Sequence, residues 1–374
     1  MKNKYILIFI FSLSIIFSFS NCFASDFSLK NAEESVELQK LIDPEMTSEK
    51  LIWLGGDAAT SVEVTPDMFI WIFGDTLIGK SENYKRDYSI FIHNSIGVAE
   101  KQQGEFGVIN KYYNEENSEI EEIFPCENSS EFYWPIVGVF LENYLLVSAN
   151  IITTENTDIF EIKGSAFFLV ENPEVPPDEW KYKSSDLLKK DEIVWGTAFA
   201  RENDYIYIFG QKGSGYNSSN VLSKINISEA EKGNWHNMEF IGEIEGLPGA
   251  SEMTVQYSAF FKWYCLQIPP LTYDVHLYVC DSINGKWEDK GIVYEIPEPW
   301  SSEQTSDCEP IFITYAVKSH LELTKNPNQI VITYNINLDP FIKGLTDKLS
   351  EYMMNEKYKD LYIPQFVLLE FDKQ

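Results

Sequence analysis

Two aspartates carry the clearest chemical signal in the sequence. Asp57 stands in Gly55-Gly56-Asp57-Ala58-Ala59-Thr60-Ser61, and Asp75 stands in Phe73-Gly74-Asp75-Thr76. Between them, Thr65-Pro66-Asp67 has the composition of a turn and is flanked by two β-forming runs. Pro66 is the midpoint of the two acids. A hairpin symmetric about it sets Asp57 opposite Asp75 at the open end, unless a bulge shifts the register. Neighbouring strands lie about 4.7–4.9 Å apart, which puts the carboxyl groups roughly 5–9 Å from one another. Glycoside hydrolysis uses such a pair: one acid protonated to serve the leaving oxygen, the other ionised as base or nucleophile. Mutual repulsion in a narrow cleft raises one pKa and separates the roles. Glycine beside each acid lets backbone or substrate approach closely. The plain alternative is a pair of turn aspartates capping backbone N–H groups.

The elements that must hold this pair are strands. From Leu51 onward, short β-rich runs alternate with turn residues and helical periodicity is scarce, which is an all-β signature. A weak repeat runs through them. The segment Asp67-Met68-Phe69-Ile70-Trp71-Ile72-Phe73-Gly74-Asp75 resembles Asp204-Tyr205-Ile206-Tyr207-Ile208-Phe209-Gly210-Gln211, with related runs at 144–150, 262–267 and 330–335. Five copies at this spacing predict a five-bladed β-propeller with four-stranded blades, glycosidase-like in form. The blades are expected near 51–100, 131–172, 192–242, 251–296 and 309–371, as one domain over 51–374 after an N-terminal segment 25–50. The run 366–371 is expected to close the ring against the first blade, and the one helical candidate, 345–358, falls in a loop before it. A two-sheet sandwich is the structural competitor.

At the position matching Asp75, the other repeats carry Asn150, Gln211, Gln267 and Asn335, so only the first has an acid there. Glu252, opening the inner strand of the fourth repeat, is expected to point toward the same axis, as a third carboxylate or as a rim residue. Arg86, read as a loop residue after the hairpin, is a candidate for holding a carboxylate or sugar hydroxyl, or is simply solvated. Asn94 has three readings: a sugar contact, a support for Asp75, or a turn residue. Trp134 and Trp195 each precede an inner strand, where an indole stacks on a sugar or joins the core. Tyr334 and Asn335 stand as candidate contacts on the same terms.

Composition limits the function classes. Lys2 and Lys4, an apolar run over 5–19 and Cys22-Phe23-Ala24 read as a signal peptide over 1–24, directing secretion or periplasmic export; lipid anchoring at Cys22 is the alternative. The run is short for a membrane span, which needs roughly 20 residues. Losing Lys2 and Lys4 takes the net charge from −29 to −31, too acidic for a phosphate-backbone binder. That balance suits neutral or cationic partners, or serves solubility alone. Cys126, Cys265, Cys280 and Cys308 are too few for a disulfide scaffold, and their pairing stays open. Neither the cysteines nor the four scattered histidines show metal-ligand spacing. No cofactor or metal is expected, a cation in the axial channel being left open, and the protein is expected to be a monomer. Aromatic residues, 15% of the chain, are abundant; in an all-β protein most are expected in the core, and a minority on one face would suit sugar rings.

The motifs also resemble a known group. Gly-Gly-Asp57-Ala-Ala-Thr-Ser, Trp71-Ile-Phe-Gly-Asp75-Thr-Leu-Ile-Gly79 and His93-Asn94-Ser95-Ile96-Gly97-Val98 are similar to the opening of the propeller families called domains of unknown function 4185 and 5005. The resemblance continues through Trp195-Gly196, 206–210, Tyr315-Ala-Val-Lys-Ser-His320, Ile332-Thr-Tyr334-Asn335-Ile-Asn337 and Tyr362-Ile-Pro364. It implies the propeller fold. Through endo-D-arabinanases of glycoside hydrolase family 183, it also implies hydrolysis of a furanosidic, arabinan-type polysaccharide, with Asp57 and Asp75 as the acids. His-Pro is frequent in the family where this chain has His320-Leu321, so His320 is a candidate cleft residue on that pattern alone. The readings are therefore a secreted glycoside hydrolase, a non-catalytic carbohydrate-binding propeller, or a surface interaction protein using its acidic rim.

Overall fold

The computed structural model describes residues 27–374 except 45–46, 103–104, 117–118, 156–159, 189–190, 214–216, 270–271, 298–310, 325, 341 and 343. The expected signal segment, Cys22 and Cys308 lie outside the described residues. The fold is all-β. Among the described residues, no helix is long and apolar enough to cross a membrane.

The hairpin about Pro66 forms in the expected register. Thr60–Thr65 pairs with Met68–Phe73 through Thr60↔Ile72, Ser61↔Trp71 and Val62↔Ile70, each pair symmetric about Pro66. The same symmetry continues beyond the aspartates, where Gly56 pairs with Thr76 and Gly55 with Leu77. The expected open end is therefore the middle of a longer hairpin. At Asp57 and Asp75 it bends out of one sheet and into another, formed by Ser48–Gly56, Thr76–Glu82 and Lys85–Ile92. Ala58 and Ala59, with φ of 65° and 45°, make that bend. Two successive left-handed residues turn the chain out of the ladder at a steric cost that alanine, unlike glycine, cannot avoid.

Beside that three-stranded sheet and a two-stranded one, the described residues form five larger antiparallel sheets that succeed one another along the chain. The first continues from the hairpin through Ser95–Gln102 to Asn110–Tyr112. The second, third and fourth each have four strands in chain order, with first strands Glu131–Phe140, Ile193–Glu202 and Thr254–Ser258. The last orders Phe312–Ser319, Gln329–Leu338, Gln365–Lys373 and then Phe27–Glu34 from the start of the chain. The run 366–371 thus pairs within the last sheet rather than with the first, and the N-terminal segment supplies the outer strand. The second sheet runs on through Tyr182–Leu188, past the expected end of its repeat at residue 172. The expected helical stretch is a broken one, with the α-helix Leu349–Met353 between two short 3-10 turns.

The repeat itself follows from packing. The second strand of each sheet is apolar on both faces because alternate side chains enter two different cores. Ile70 and Ile72 join Leu145, Val147 and Phe168, whereas Trp71 and Phe73 join Val331 and Phe366 of the last sheet. Ile206 and Ile208 pack toward the second sheet, and Phe209 packs toward Trp263 and Cys265 of the fourth. Each such large side chain contributes roughly 1.5–3 kcal/mol by leaving water. The first strand of each sheet touches that of the next, and Phe312–Ser319 touches Thr60–Thr65.

Arg86 lies on the strand Lys85–Ile92, not on a loop, and is buried. Its guanidinium donates to the carbonyls of Leu54 at 3.0 Å, Leu361 at 2.7 Å and Tyr358 at 3.2 Å. It therefore ties the segment after the broken helix to the bent hairpin. Burial lowers its pKa to about 10, so the cation persists at neutral pH. Replacing Arg86 with Met should strand these carbonyls and destabilise the protein by about 3 kcal/mol, read as a lower urea midpoint.

Candidate functional site

The bend in the hairpin opens into a cavity of about 510 Å³. Asp57, Asp75, Trp134 and Glu252 all line it, joined by Tyr315 and Tyr362. Asp57 and Asp75 face each other across the hairpin, with the Asp57 backbone N–H donating to the Asp75 carbonyl at 3.2 Å. The Asp57 carboxylate lies against the Cα of Gly74. A Cβ at residue 74 would overlap Asp57 Oδ1, so glycine is required there by close approach.

The two acids have different surroundings. Asp57 Oδ2 accepts from the Tyr315 hydroxyl at 2.8 Å, and its carboxylate also accepts from the Asp75 backbone N–H. Burial, then the charges of Asp75 and Glu252, hold the Asp57 carboxyl well above the usual carboxylate range; those two hydrogen bonds offset them only in part. Burial also raises Asp75, but two donors pull it back. His93 Nδ1 lies 2.9 Å from Asp75 Oδ1, and Trp134 Nε1 donates to the same oxygen at 2.6 Å. Glu252 is raised by burial and drawn down by the charge of Lys318 and by the Ala316 backbone N–H. Lys318 is itself buried and donates to the Ile136 carbonyl at 3.0 Å. Both carboxyls are raised, Asp57 the further, so the surroundings favour a proton on Asp57 over one on Asp75.

The walls are aromatic and apolar, with Tyr88, Phe91, Phe160, Ile162 and Ile313, and polar groups enter from Asn150, Ser251 and Asn337. The indole of Trp134 acts as a hydrogen-bond donor, its ring edge-on to Phe160 at 4.8 Å, rather than as an isolated stacking platform.

Six of the sequence candidates do not line the cavity. Arg86 is the buried clamp described above. Asn94 spends its amide on the carbonyls of Phe124 and Tyr133 and on the Phe124 N–H, which fixes the positions of His93 and Trp134 from behind. Trp195 packs edge-on to Phe240 at 6.3 Å beside the core between the second and third sheets. His320 is fully buried, with Nδ1 2.6 Å from Ser61 Oγ, Nε2 2.8 Å from Thr333 Oγ1, and its ring stacked on Trp71 at 4.7 Å. Tyr334 lies in the core of the last sheet near Tyr294. Asn335 donates to the Gly56 carbonyl at 3.3 Å and so braces the bend one residue before Asp57. The sequence reading passed over His93, Tyr315, Asn337 and Tyr362, although each lies within a motif it singled out. Cys126, Cys265 and Cys280 are free thiols.

Among the described residues, no group of three or more His, Cys, Asp or Glu could hold a metal ion. The family model of the domain of unknown function DUF5005 matches residues 45–370, and the chain belongs to that family. No curated protein matches it in sequence. Among solved structures it is similar to a Bacteroides ovatus protein with a provisional hydrolase name, at a TM-score of 0.66 and 15% identity over 90% of each chain. At that identity the likeness is one of fold. More distant are an α-L-arabinofuranosidase of Podospora anserina (TM-score 0.46, 10% identity, 89% of this chain and 95% of that one) and the catalytic domain of a Coprinopsis cinerea α-L-arabinofuranosidase (0.45, 10%, 93% and 97%).

A carboxyl whose folded pKa is raised favours the folded state most below its unfolded pKa, about 3.9, and loses that advantage as pH climbs toward the folded value. Asn at residue 57 cannot ionise. Asp57→Asn should therefore raise Tm at pH 7 by about 2 °C, with the gain vanishing near pH 4. Thermal melts across that range check it; a variant less stable at pH 7 would contradict the burial argument.

Proposed function

We propose that this DUF5005 protein is a glycoside hydrolase built on a five-bladed β-propeller. In this reading Asp57 donates a proton to the departing glycosidic oxygen, while Asp75 acts from across the cavity as base or nucleophile. The observation that carries it is the pair itself: Asp57, partly buried, and Asp75, buried, stand opposite one another in one hairpin and line one cavity, with donors concentrated on Asp75 and opposing charges on Asp57. Supporting the propeller are the apolar cores between successive sheets, the core joining the last sheet to the first, and the succession of first-strand contacts.

The other cavity residues have roles in the same scheme. Glu252 adds negative charge that keeps the proton on Asp57, and Tyr315 aims its carboxyl. Phe91, Phe160 and Tyr362 offer apolar faces to a sugar ring, and Asn150, Ser251 and Asn337 offer polar groups to its hydroxyls. The proposed substrate is a furanosidic, arabinan-type polysaccharide, reached by a monomer exported by residues 1–24. That substrate class rests on the motif resemblance.

The test is hydrolysis of arabinans, arabinogalactans and other glycans by the wild type, Asp57→Asn and Asp75→Asn. Each substitution should lower kcat/KM by about 10³-fold or more. The wild-type pH profile should be bell-shaped, falling on the acid side as Asp75 gains a proton and on the alkaline side as Asp57 loses one. Hydrolysis indifferent to both substitutions would end the mechanism, and glycan binding without products would leave a binding propeller.

A further inference from the structure

We infer that His93 is a positioning residue which, with Trp134, clamps Oδ1 of Asp75 so that Oδ2 alone is presented to the substrate. The inference deepens the hydrolase reading and rests on it for its catalytic meaning. The geometry is specific. Both donors converge on one carboxylate oxygen, His93 Nδ1 at 2.9 Å and Trp134 Nε1 at 2.6 Å. Among the described residues, no hydrogen bond reaches Oδ2. An ionised carboxylate only accepts hydrogen bonds, so Nδ1 must carry a hydrogen whether the ring is neutral or charged.

The imidazole is held for this task. Its face stacks on Phe132 with centroids 3.6 Å apart and planes 12° from parallel, and Phe91 meets it edge-on at 5.3 Å. The backbone N–H of His93 donates to Glu122 Oε1 at 3.3 Å, and the next residue, Asn94, is itself pinned by three side-chain bonds to the backbone of Phe124 and Tyr133. On its far side, His93 lines a recess with Glu121, Glu122, Glu131, Cys126 and Tyr133. Asp57, Glu122 and Tyr362 also act on Asp75, and each carries or can acquire negative charge. Against these, His93 is the basic side chain in contact, at an acid that burial otherwise drives toward its protonated form. A bond to the charged form favours that form, and locking one oxygen fixes the direction of the other.

The experiment uses the full chain with His93→Ala, His93→Gln and Trp134→Phe. Two readouts run in parallel: the pH profile of kcat/KM on a glycan the wild type cleaves, and a ¹³C-carboxyl NMR titration of labelled aspartate, with Asp75→Asn assigning the signal. His93→Ala should move the Asp75 titration and the acid limb upward by about one pH unit, a tenfold loss of rate below that limb. His93→Gln, which keeps a donor, should recover part of the shift. Trp134→Phe should move both readouts the same way by less. An unmoved Asp75 titration in His93→Ala overturns the proposal, as does a fall in kcat with the limb in place. Should His93→Ala fail to fold, His93→Gln and Trp134→Phe decide by the same criteria. If the wild type cleaves no glycan, the hydrolase reading fails while the NMR titration still judges the clamp.

Discussion

A carboxylate taken out of water must find donors or keep its proton, and the cavity sets two such carboxyls in different surroundings. Asp57 and Asp75 are placed within backbone hydrogen-bond reach of one another by a single hairpin, so neither can ionise without raising the cost for the other. Asp75 receives two strong donors on one oxygen. Asp57 receives a neutral hydroxyl and a backbone N–H, while Asp75 and Glu252 both oppose its ionisation. The asymmetry comes from partners carried by distant parts of the chain: Trp134 from the second sheet and Tyr315 from the last. The sheets matter to the site because they bring those partners together.

Much of the architecture was legible in the sequence because β-sheet packing leaves a periodic trace. The run Met68–Phe73 is apolar throughout because its odd and even residues serve different cores, and the same division recurs at 206–209. The hairpin register was legible because a turn proline and a period of two leave little freedom. Outer strands left a weaker trace. Phe27–Glu34 and Tyr182–Leu188 lie at sheet edges, where only a few residues such as Phe27 and Tyr182 reach a core and the rest of the strand carries a weak hydrophobic signature.

The site was legible only where its geometry is local. Asp57 and Asp75 meet through one hairpin, whose symmetry is visible in a count of residues. Arg86, Asn94 and His320 were attractive as polar groups near the motifs, yet burial consumes each of them. Arg86 and Asn94 satisfy backbone groups, while His320 is held between the Ser61 and Thr333 hydroxyls. A polar residue beside such a motif is as readily its fastener as its partner. His93 and Tyr315 differ only in direction, since each turns a donor toward an aspartate. Side-chain direction across sheets depends on tertiary placement, which spacing along the chain does not encode.

The ladder is irregular at the end of the molecule that holds the cavity. Ala58, Ala59, Ala316 and Tyr362 all have positive φ, and each is next to or part of the cavity lining. The first strands of the second and last sheets are bulged at Ile136 and at 316–317. A regular ladder there would continue pairing and leave no room for the cavity. The bulge at Ile136 frees a carbonyl, which Thr60 Oγ1 and Lys318 Nζ both reach at 3.0 Å. Lys318 therefore brings its charge beneath Glu252 and Asp57 while satisfying the carbonyl the bulge released. Left-handed residues cost of order 1–3 kcal/mol each, and such costs persist where the surrounding packing over-determines the backbone. Here the aromatic and aliphatic cores on either side of the bend supply that packing, so the stability of the sheets is what holds Ala58 and Ala59 left-handed and the two aspartates at the cavity.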